Sequence, residues 1–219
     1  MAQIDVTFAV DMSAETTSAN GVHVAGDWQS EANGGEDWQT GDNEMLDGDG
    51  DGIYTLTVTI PAGPYHYKYI NDNTWDGVEG VPSVSQVGFG DDNRFFVVTD
   101  SSNAIDAVPF SGSAMPGMNA VKLQVNMADV VVEETGAHVA GDLINPAWKP
   151  NRTPLYNVSN SIWAAVIQVA SGDYLYKFLR GDDWGTDESA PDECGDGGNR
   201  TISVSASETL EPVCFGACG

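Results

Sequence analysis

A lysine and a tryptophan recur at one spacing in this chain: Lys68 and Trp75 in YHYKYINDNTW (65–75), and Lys177 and Trp184 in YLYKFLRGDDW (174–184). Each lysine lies in an alternating aromatic stretch, and each tryptophan follows among Asn, Asp or Gly residues. Alternation turns Tyr65, Tyr67 and Tyr69 toward a core and His66 and Lys68 to the opposite face. Trp75 then falls in the loop beyond, where it either folds back as a plug or stays out as a flat apolar platform. A platform beside an ammonium, amides and carboxylates suits a neutral ring with an apolar face and a hydroxyl edge, such as a sugar. Trp38 and Trp148, each upstream in a Gly-, Pro- or Asn-rich loop, offer a second platform.

The elements that must position these residues are strands. Ile4, Val6, Phe8, Val10 and Met12 alternate with polar or small residues, and Tyr54, Leu56, Val58 and Ile60 alternate with three threonines. Gly, Asn, Asp and Pro clusters interrupt at short intervals, and no segment carries a helical apolar stripe. The pattern also repeats in order. VTFAVDM (6–12) answers VKLQVNM (121–127), GVHVAGDW (21–28) answers GAHVAGDL (136–143), and DDNRFFV (91–97) answers GGNRTIS (197–203). VPFSGS (108–113) answers VCFGAC (213–218). Order-preserving similarity of this extent predicts a duplicated module. The expected fold is all-β: two tandem antiparallel β-sandwich, immunoglobulin-like domains, 1–113 and 120–219. Their linker, 114–119, lies in the Gly/Ser/Pro-rich SGSAMPGMN (111–119).

Charge narrows the partners. The chain of 219 residues carries 8 basic and 33 acidic residues. Through Ser113 there are 2 basic and 19 acidic (net −17), and afterwards 6 and 14 (net −8). Such a surface repels nucleic acid and anionic membranes, so a neutral partner is the default. There is no apolar run long enough to span a bilayer as a helix, so membrane insertion is not expected. No signal peptide is visible, and the chain reads as a mature or recombinantly expressed fragment from which a leader could have been removed. The three cysteines cluster near the C-terminus. A pair, taken as Cys194 and Cys214, would clamp a C-terminal strand in an oxidising, extracellular compartment and leave Cys218 over. Zinc is the competing reading, with three sulfurs and no nearby histidine.

LDGDGDGIY (46–54) places Asp47, Asp49 and Asp51 like the first ligands of a calcium loop. Val58 stands where the bidentate glutamate belongs, and strand rather than helix follows. A tight hairpin turn is therefore the simpler reading, with calcium as a structural ion the alternative. No cofactor is otherwise required. His23 and His138 occupy one equivalent strand position, which points to a structural role. Neither G-x-S-x-G, H-E-x-x-H nor a P-loop occurs, and an enzyme is not expected.

The order and spacing of these motifs resemble the starch- and glycogen-binding β-sandwich modules. Examples are the glycogen-binding domain of the AMP-activated kinase β subunit, the modules of family 48, and repeats attached to secreted bacterial glucan-degrading proteins. The resemblance covers nearly all of each half. It implies ligand contact by Trp38, Lys68, Trp75 and Asn93 in the first copy, and by Trp148, Lys177, Trp184 and Asn199 in the second. Trp28 is an alternative to Trp38, because SEANGGED (30–37) lengthens that loop. The expected function is non-catalytic α-glucan binding by a secreted or cell-surface protein, two weak sites gaining avidity on a polymer. The alternative is an extracellular assembly protein, a stalk, adhesin or filament subunit, whose partner is a copy of itself and whose tryptophans are plugs or contacts.

Overall fold

The structure, a computed structural model, describes residues 3–88, 90–100 and 103–219. It is almost entirely β, and its strands join mostly antiparallel sheets. Among the described residues the helical content is one five-residue α-helix, Gln29–Asn33, and two single 3-10 turns, Trp75–Gly77 and Ser83–Ser85. The chain divides into two compact units, one ending at Pro116 and the other beginning at Gly117.

The first unit holds β1 (Gln3–Asp11), β2 (Val22–Gly26), β3 (Glu44–Met45), β4 (Ile53–Pro61), β5 (Gly63–Ile70), β6 (Arg94–Val98) and β7 (Val108–Pro109). They form a three-stranded sheet ordered β4-β1-β7 and a four-stranded sheet ordered β3-β2-β5-β6. The alternation in β1 is explained by its burial: Ile4, Val6, Phe8 and Val10 are in, with the intervening residues partly or fully exposed. One core takes side chains from both sheets, Val6, Phe8 and Ile60 from one and Val24, Tyr65, Tyr67 and Tyr69 from the other. Trp28 is fully buried there, its ring stacked on Phe8 at 4.9 Å. Burial raises the Tyr67 phenol to about 12, so it stays neutral.

The second unit holds β8 (Asn119–Asn126), β9 (His138–Gly141), β10 (Thr153–Pro154), β11 (Tyr156–Ser159) and β12 (Ile162–Val169). It continues with β13 (Gly172–Leu179), β14 (Gly195–Asp196), β15 (Asn199–Val204), β16 (Glu208–Thr209) and β17 (Val213–Cys214). Its sheets are ordered β10-β9-β13-β15-β14 and β11-β12-β8-β16, with β17 also on β8. Leu123, Val125, Val139, Tyr176 and Phe178 are central to its core. In both units the last strands run parallel to the first, β7 beside β1 and β16 and β17 beside β8.

The disulfide differs from the sequence expectation. It joins Cys194 to Cys218, with Cα atoms 5.4 Å apart, and Cys214 is a free, half-buried thiol. The reason is backbone pairing. Cys214 lies in β17, in register with Asn126 of β8, and its carbonyl accepts from Arg200 Nη2 at 2.8 Å. A turn closed by Ala217 N–H on the Cys214 carbonyl then brings Cys218 to Cys194.

Candidate functional site

Each unit builds the same cluster at the same end of its central strands. Lys68 projects from β5 on the face away from the tyrosine core, paired in register with Ala25 of β2. On its other side the β5–β6 register reaches Tyr67 and Arg94, so the next step puts Asn93 opposite Lys68. Lys177 of β13 is likewise paired with Ala140 of β9, and Tyr176 with Arg200, which puts Asn199 opposite Lys177. Asn93 is half-buried, its N–H donated to Asp91 Oδ1 at 2.9 Å, and Asn199 opens β15 opposite Asp196.

Trp75 and Trp184 are 47% and 48% exposed, so neither is a plug. Their loops are closed excursions. In the first, Asn71 N–H donates to Gly77 O, Val78 N–H to Trp75 O and Glu79 N–H to Tyr69 O, all at 2.8–3.2 Å. In the second, Arg180 N–H donates to Thr186 O and Glu188 N–H to Phe178 O, at 3.0 and 2.9 Å. Closed loops of this kind hold an exposed ring at little further cost in conformational entropy.

The glutamates that end these loops were missed by sequence reasoning. Glu79 and Arg94 form a buried ion pair: Nη2 to Oε2 is 2.7 Å, Nε to Oε1 is 2.9 Å, and Glu79 Oε1 also accepts Tyr69 N–H at 2.9 Å. Burial alone would lower the Arg94 pKa, but the Glu79 charge and hydrogen bonds outweigh it and raise it. Glu188 and Arg200 repeat the arrangement, with Phe178 N–H as the third partner. Each arginine also ties down the end of its unit, Arg94 through Gly112 O and Arg200 through Cys214 O and Ala217 O. A signal existed: residues 79 and 188 stand 109 apart, the offset that aligns the lysines and the tryptophans.

Trp38 and Trp148 sit in an equivalent, unusual conformation. Both have left-handed backbone, φ 60° and 55°, a region costly for a bulky side chain. Trp38 N–H donates to Gly26 O at 3.1 Å and Trp148 N–H to Gly141 O at 3.0 Å. The two tryptophans reach this position twelve residues after Gly26 and seven after Gly141, so the inserted residues do not displace the ring. Glycine is needed at 26 and 141, because a Cβ would collide with the His66 and Leu175 carbonyls respectively. In the first unit Gln29 holds the longer loop. Its buried amide bonds both Gln39 N–H and Gln39 O at 2.9 Å, and Asn43 Oδ1. Thr40 Oγ1 donates to Asn73 O at 2.7 Å, joining the Trp38 loop to the Trp75 loop. The Trp38 and Trp75 rings lie 6.3 Å apart at 38° to each other. Trp28, fully buried, is not a surface platform.

Both lysines are largely covered, 13% and 14% exposed, and both are ion-paired. Lys68 Nζ lies 3.0 Å from Asp92 Oδ1, and Lys177 Nζ 2.8 Å from Asp187 Oδ2. Burial works against ionisation of Asp187, but hydrogen bonds from Lys177 and the Gly185 N–H hold it below the ordinary carboxylate range. Beside Lys68, His66 Nδ1 is 3.0 Å from Asp27 Oδ2, and that hydrogen bond raises the imidazole pKa despite burial. The second unit has Leu175 there, its N–H still capped by Asp142 as that of His66 is by Asp27.

The acidic turn is a separate feature. One carboxylate oxygen from each of Asp47, Asp49 and Asp51 falls within 4.8 Å of the others. Asp47 accepts Gly50 N–H and Gly52 N–H at 2.7 and 3.0 Å, and Asp51 accepts Ile53 N–H at 2.8 Å. The turn thus satisfies itself as a hairpin connection. The buried histidines His23 and His138 stand on β2 and β9, the latter against the Gly136 carbonyl at 3.2 Å.

Comparison with known proteins bears on this geometry. Over 182 residues, 78% of this chain and 11% of the relative, the sequence is 27% identical to an amylopullulanase of Thermoanaerobacter thermohydrosulfuricus. A 69-residue stretch, 29% of this chain, is 36% identical to an amylopullulanase of Thermoanaerobacterium saccharolyticum, of which it covers 5%. The chain therefore spans about a tenth or less of the curated relatives it matches. Among solved structures, the family 26 carbohydrate-binding module of Eubacterium rectale Amy13K in complex with maltoheptaose aligns over 98% of this chain and 93% of its own, at 13% identity and a TM-score of 0.27. Residues 21–105, which contain Trp38, Lys68, Trp75, Asp92 and Asn93, match the family model of the Pullulanase X25 domain.

Proposed function

We propose that this chain is a non-catalytic binder of α-glucan, carrying one site on each of two duplicated sandwich modules. One observation carries the reading: each unit presents a half-exposed tryptophan on a clamped loop, with a second tryptophan held in left-handed backbone at the same strand end. Strained backbone retained in both units, across loops of different length, is a feature of sites rather than of packing. Trp38 and Trp75 in the first unit, and Trp148 and Trp184 in the second, are the stacking surfaces in this reading. Lys68, Asn93, Lys177 and Asn199 address hydroxyls at the ring edge. Rings tilted by 38° favour a ligand that curves between successive sugars over a flat ribbon. The match to a pullulanase domain and the amylopullulanase relatives, enzymes named for α-glucan substrates, support the same ligand class. Attachment of such a module to a secreted enzyme or cell surface follows as part of the proposal.

Calorimetry tests it. Maltoheptaose is expected to bind the chain with micromolar to millimolar affinity, more weakly after Trp75→Ala or Trp184→Ala and not at all after both. β-Glucans are expected to give no heat. A folded chain that binds none of these sugars refutes the reading. Self-assembly has one observation on its side: among the described residues the outer edge of β4 beyond Thr55 has no strand partner, whereas β11 covers the corresponding edge of β12. Sedimentation at high protein concentration distinguishes that reading.

A further inference from the structure

Resting on that glucan reading, we propose that Asp92 and Asp187 are ligand-contacting residues that read a vicinal diol of a neutral pyranose. An ammonium alone can only donate, whereas each sugar hydroxyl both donates and accepts. Lys68 with Asp92, and Lys177 with Asp187, put a donor and an acceptor 3.0 and 2.8 Å apart. Neighbouring equatorial hydroxyls present a complementary acceptor and donor at similar separation. One hydroxyl accepts a hydrogen bond from Nζ, and its neighbour donates one to the carboxylate.

The pairing is what recurs, while its source changes. Asp92 comes from the loop before β6, one residue from Asn93. Asp187 comes from the Trp184 loop, three residues past the ring. The position in the second unit that answers Asp92 is Gly198, and the position in the first that answers Asp187 is Val78. Each unit thus supplies a carboxylate to its lysine from a position where the other has none. A carboxylate needed only to fold its loop would stay with that loop. The two acceptors also differ in freedom. Asp92 is 73% exposed, whereas Asp187 is 25% exposed and has its Oδ1 on Gly185 N–H. The second site therefore holds its acceptor in one orientation and tolerates less variation in the diol. A ring whose hydroxyls are replaced by anionic groups is repelled at both.

The test isolates each site in the full chain, the first in a Trp184→Ala background and the second in Trp75→Ala. Asp92→Ala in the former and Asp187→Ala in the latter are each expected to weaken maltoheptaose binding about tenfold or more, the effect of losing a hydrogen bond to a charged group. Against malto-oligosaccharides lacking the 2- or 3-hydroxyl, one of the two deoxy compounds is expected to show no further loss from the same substitution. Equal losses with every ligand would mean that the carboxylate acts only by placing the lysine, and would overturn the proposal. Unchanged or tighter binding by the alanine variants would overturn it too, showing a carboxylate that merely competes for Nζ. If the single-site parents bind no glucan, the function proposed above fails first.

Discussion

Replacing Glu79 by Gln removes one charge from a site that excludes water. Arg94 would keep its guanidinium, almost wholly buried, while losing the carboxylate that takes bonds from Nε and Nη2. One amide N–H group would face those donors, and Tyr69 N–H would compete for the remaining oxygen. Breaking one half of a buried pair costs about 3–5 kcal/mol, a large part of the ~5–15 kcal/mol that holds an ordinary domain together. With an m-value of about 1.5–2 kcal/mol/M, the urea midpoint of the first unit falls by about 2–3 M. The assay is urea unfolding followed by near-ultraviolet circular dichroism, with Glu79→Leu/Arg94→Met as the companion variant. Removing both charges is expected to recover most of the loss, because the penalty lies in the unpaired cation and not in the absent bond. The double variant should nonetheless bind maltoheptaose more weakly, since the Trp75 loop has lost its closing carboxylate. A Glu79→Gln loss below about 1 kcal/mol, the range of exposed pairs, would refute this reasoning.

Four further outcomes are expected. Because its bond to Asp27 raises the His66 pKa, the folded first unit holds that proton more tightly than the unfolded chain. The stabilisation is complete below the ordinary value of about 6.5 and is lost as pH rises through the folded pKa. Denaturation midpoints from pH 5 to 9 should show that decline and lose it in Asp27→Asn. Trp38→Gly should be more stable than Trp38→Ala by about 1–2 kcal/mol, since alanine keeps the left-handed penalty, although both lose the ring and hence affinity. Cys194→Ser should destabilise the second unit by about 3 kcal/mol, given a closed loop of 24 residues, while Cys214→Ser should change its midpoint little. Calcium at 1 mM should stabilise the first unit by no more than about 0.4 kcal/mol, the value for half-occupancy of a weak extracellular-type site. A larger shift that Asp49→Asn abolishes would make the 47–51 turn a true ion site.

The strands and the loop positions of Trp75 and Trp184 were legible because their signals are local, whereas the exposure of the two rings was not. Alternation in β1 and β4 and a polar loop around Trp75 need no knowledge of distant residues. The Glu79–Arg94 pair was not legible, since a carboxylate among 33 acidic residues shows no mark of burial until strands from different parts of the chain enclose it. Gln29 escaped for the same reason: its role appears only when Gln39 arrives beside it. Trp38 and Trp148 were named by motif, but their shared left-handed backbone comes from a hydrogen bond to a glycine carbonyl that spacing could not show, twelve residues away in one unit and seven in the other. The cysteine pairing was missed because a clamp on the C-terminal strand pointed to Cys214, whereas the parallel pairing of β17 commits that residue to the sheet.

That parallel pairing has a mechanical side. In the first unit Thr7 N–H bonds Asn103 O, Ile105 N–H bonds Thr7 O and Phe110 N–H bonds Asp11 O; in the second, Leu210 and Phe215 N–H groups bond the carbonyls of Lys122 and Asn126. A pull that separates the two ends of either unit therefore slides its first and last strands along each other. All the connecting bonds are loaded together instead of opening one after another. Antiparallel terminal strands pulled from a common end would unzip at far lower force. If the proposed glucan binding and attachment hold, a chain gripped by a polymer and anchored at one terminus meets this kind of tension, and each unit is strung to bear it.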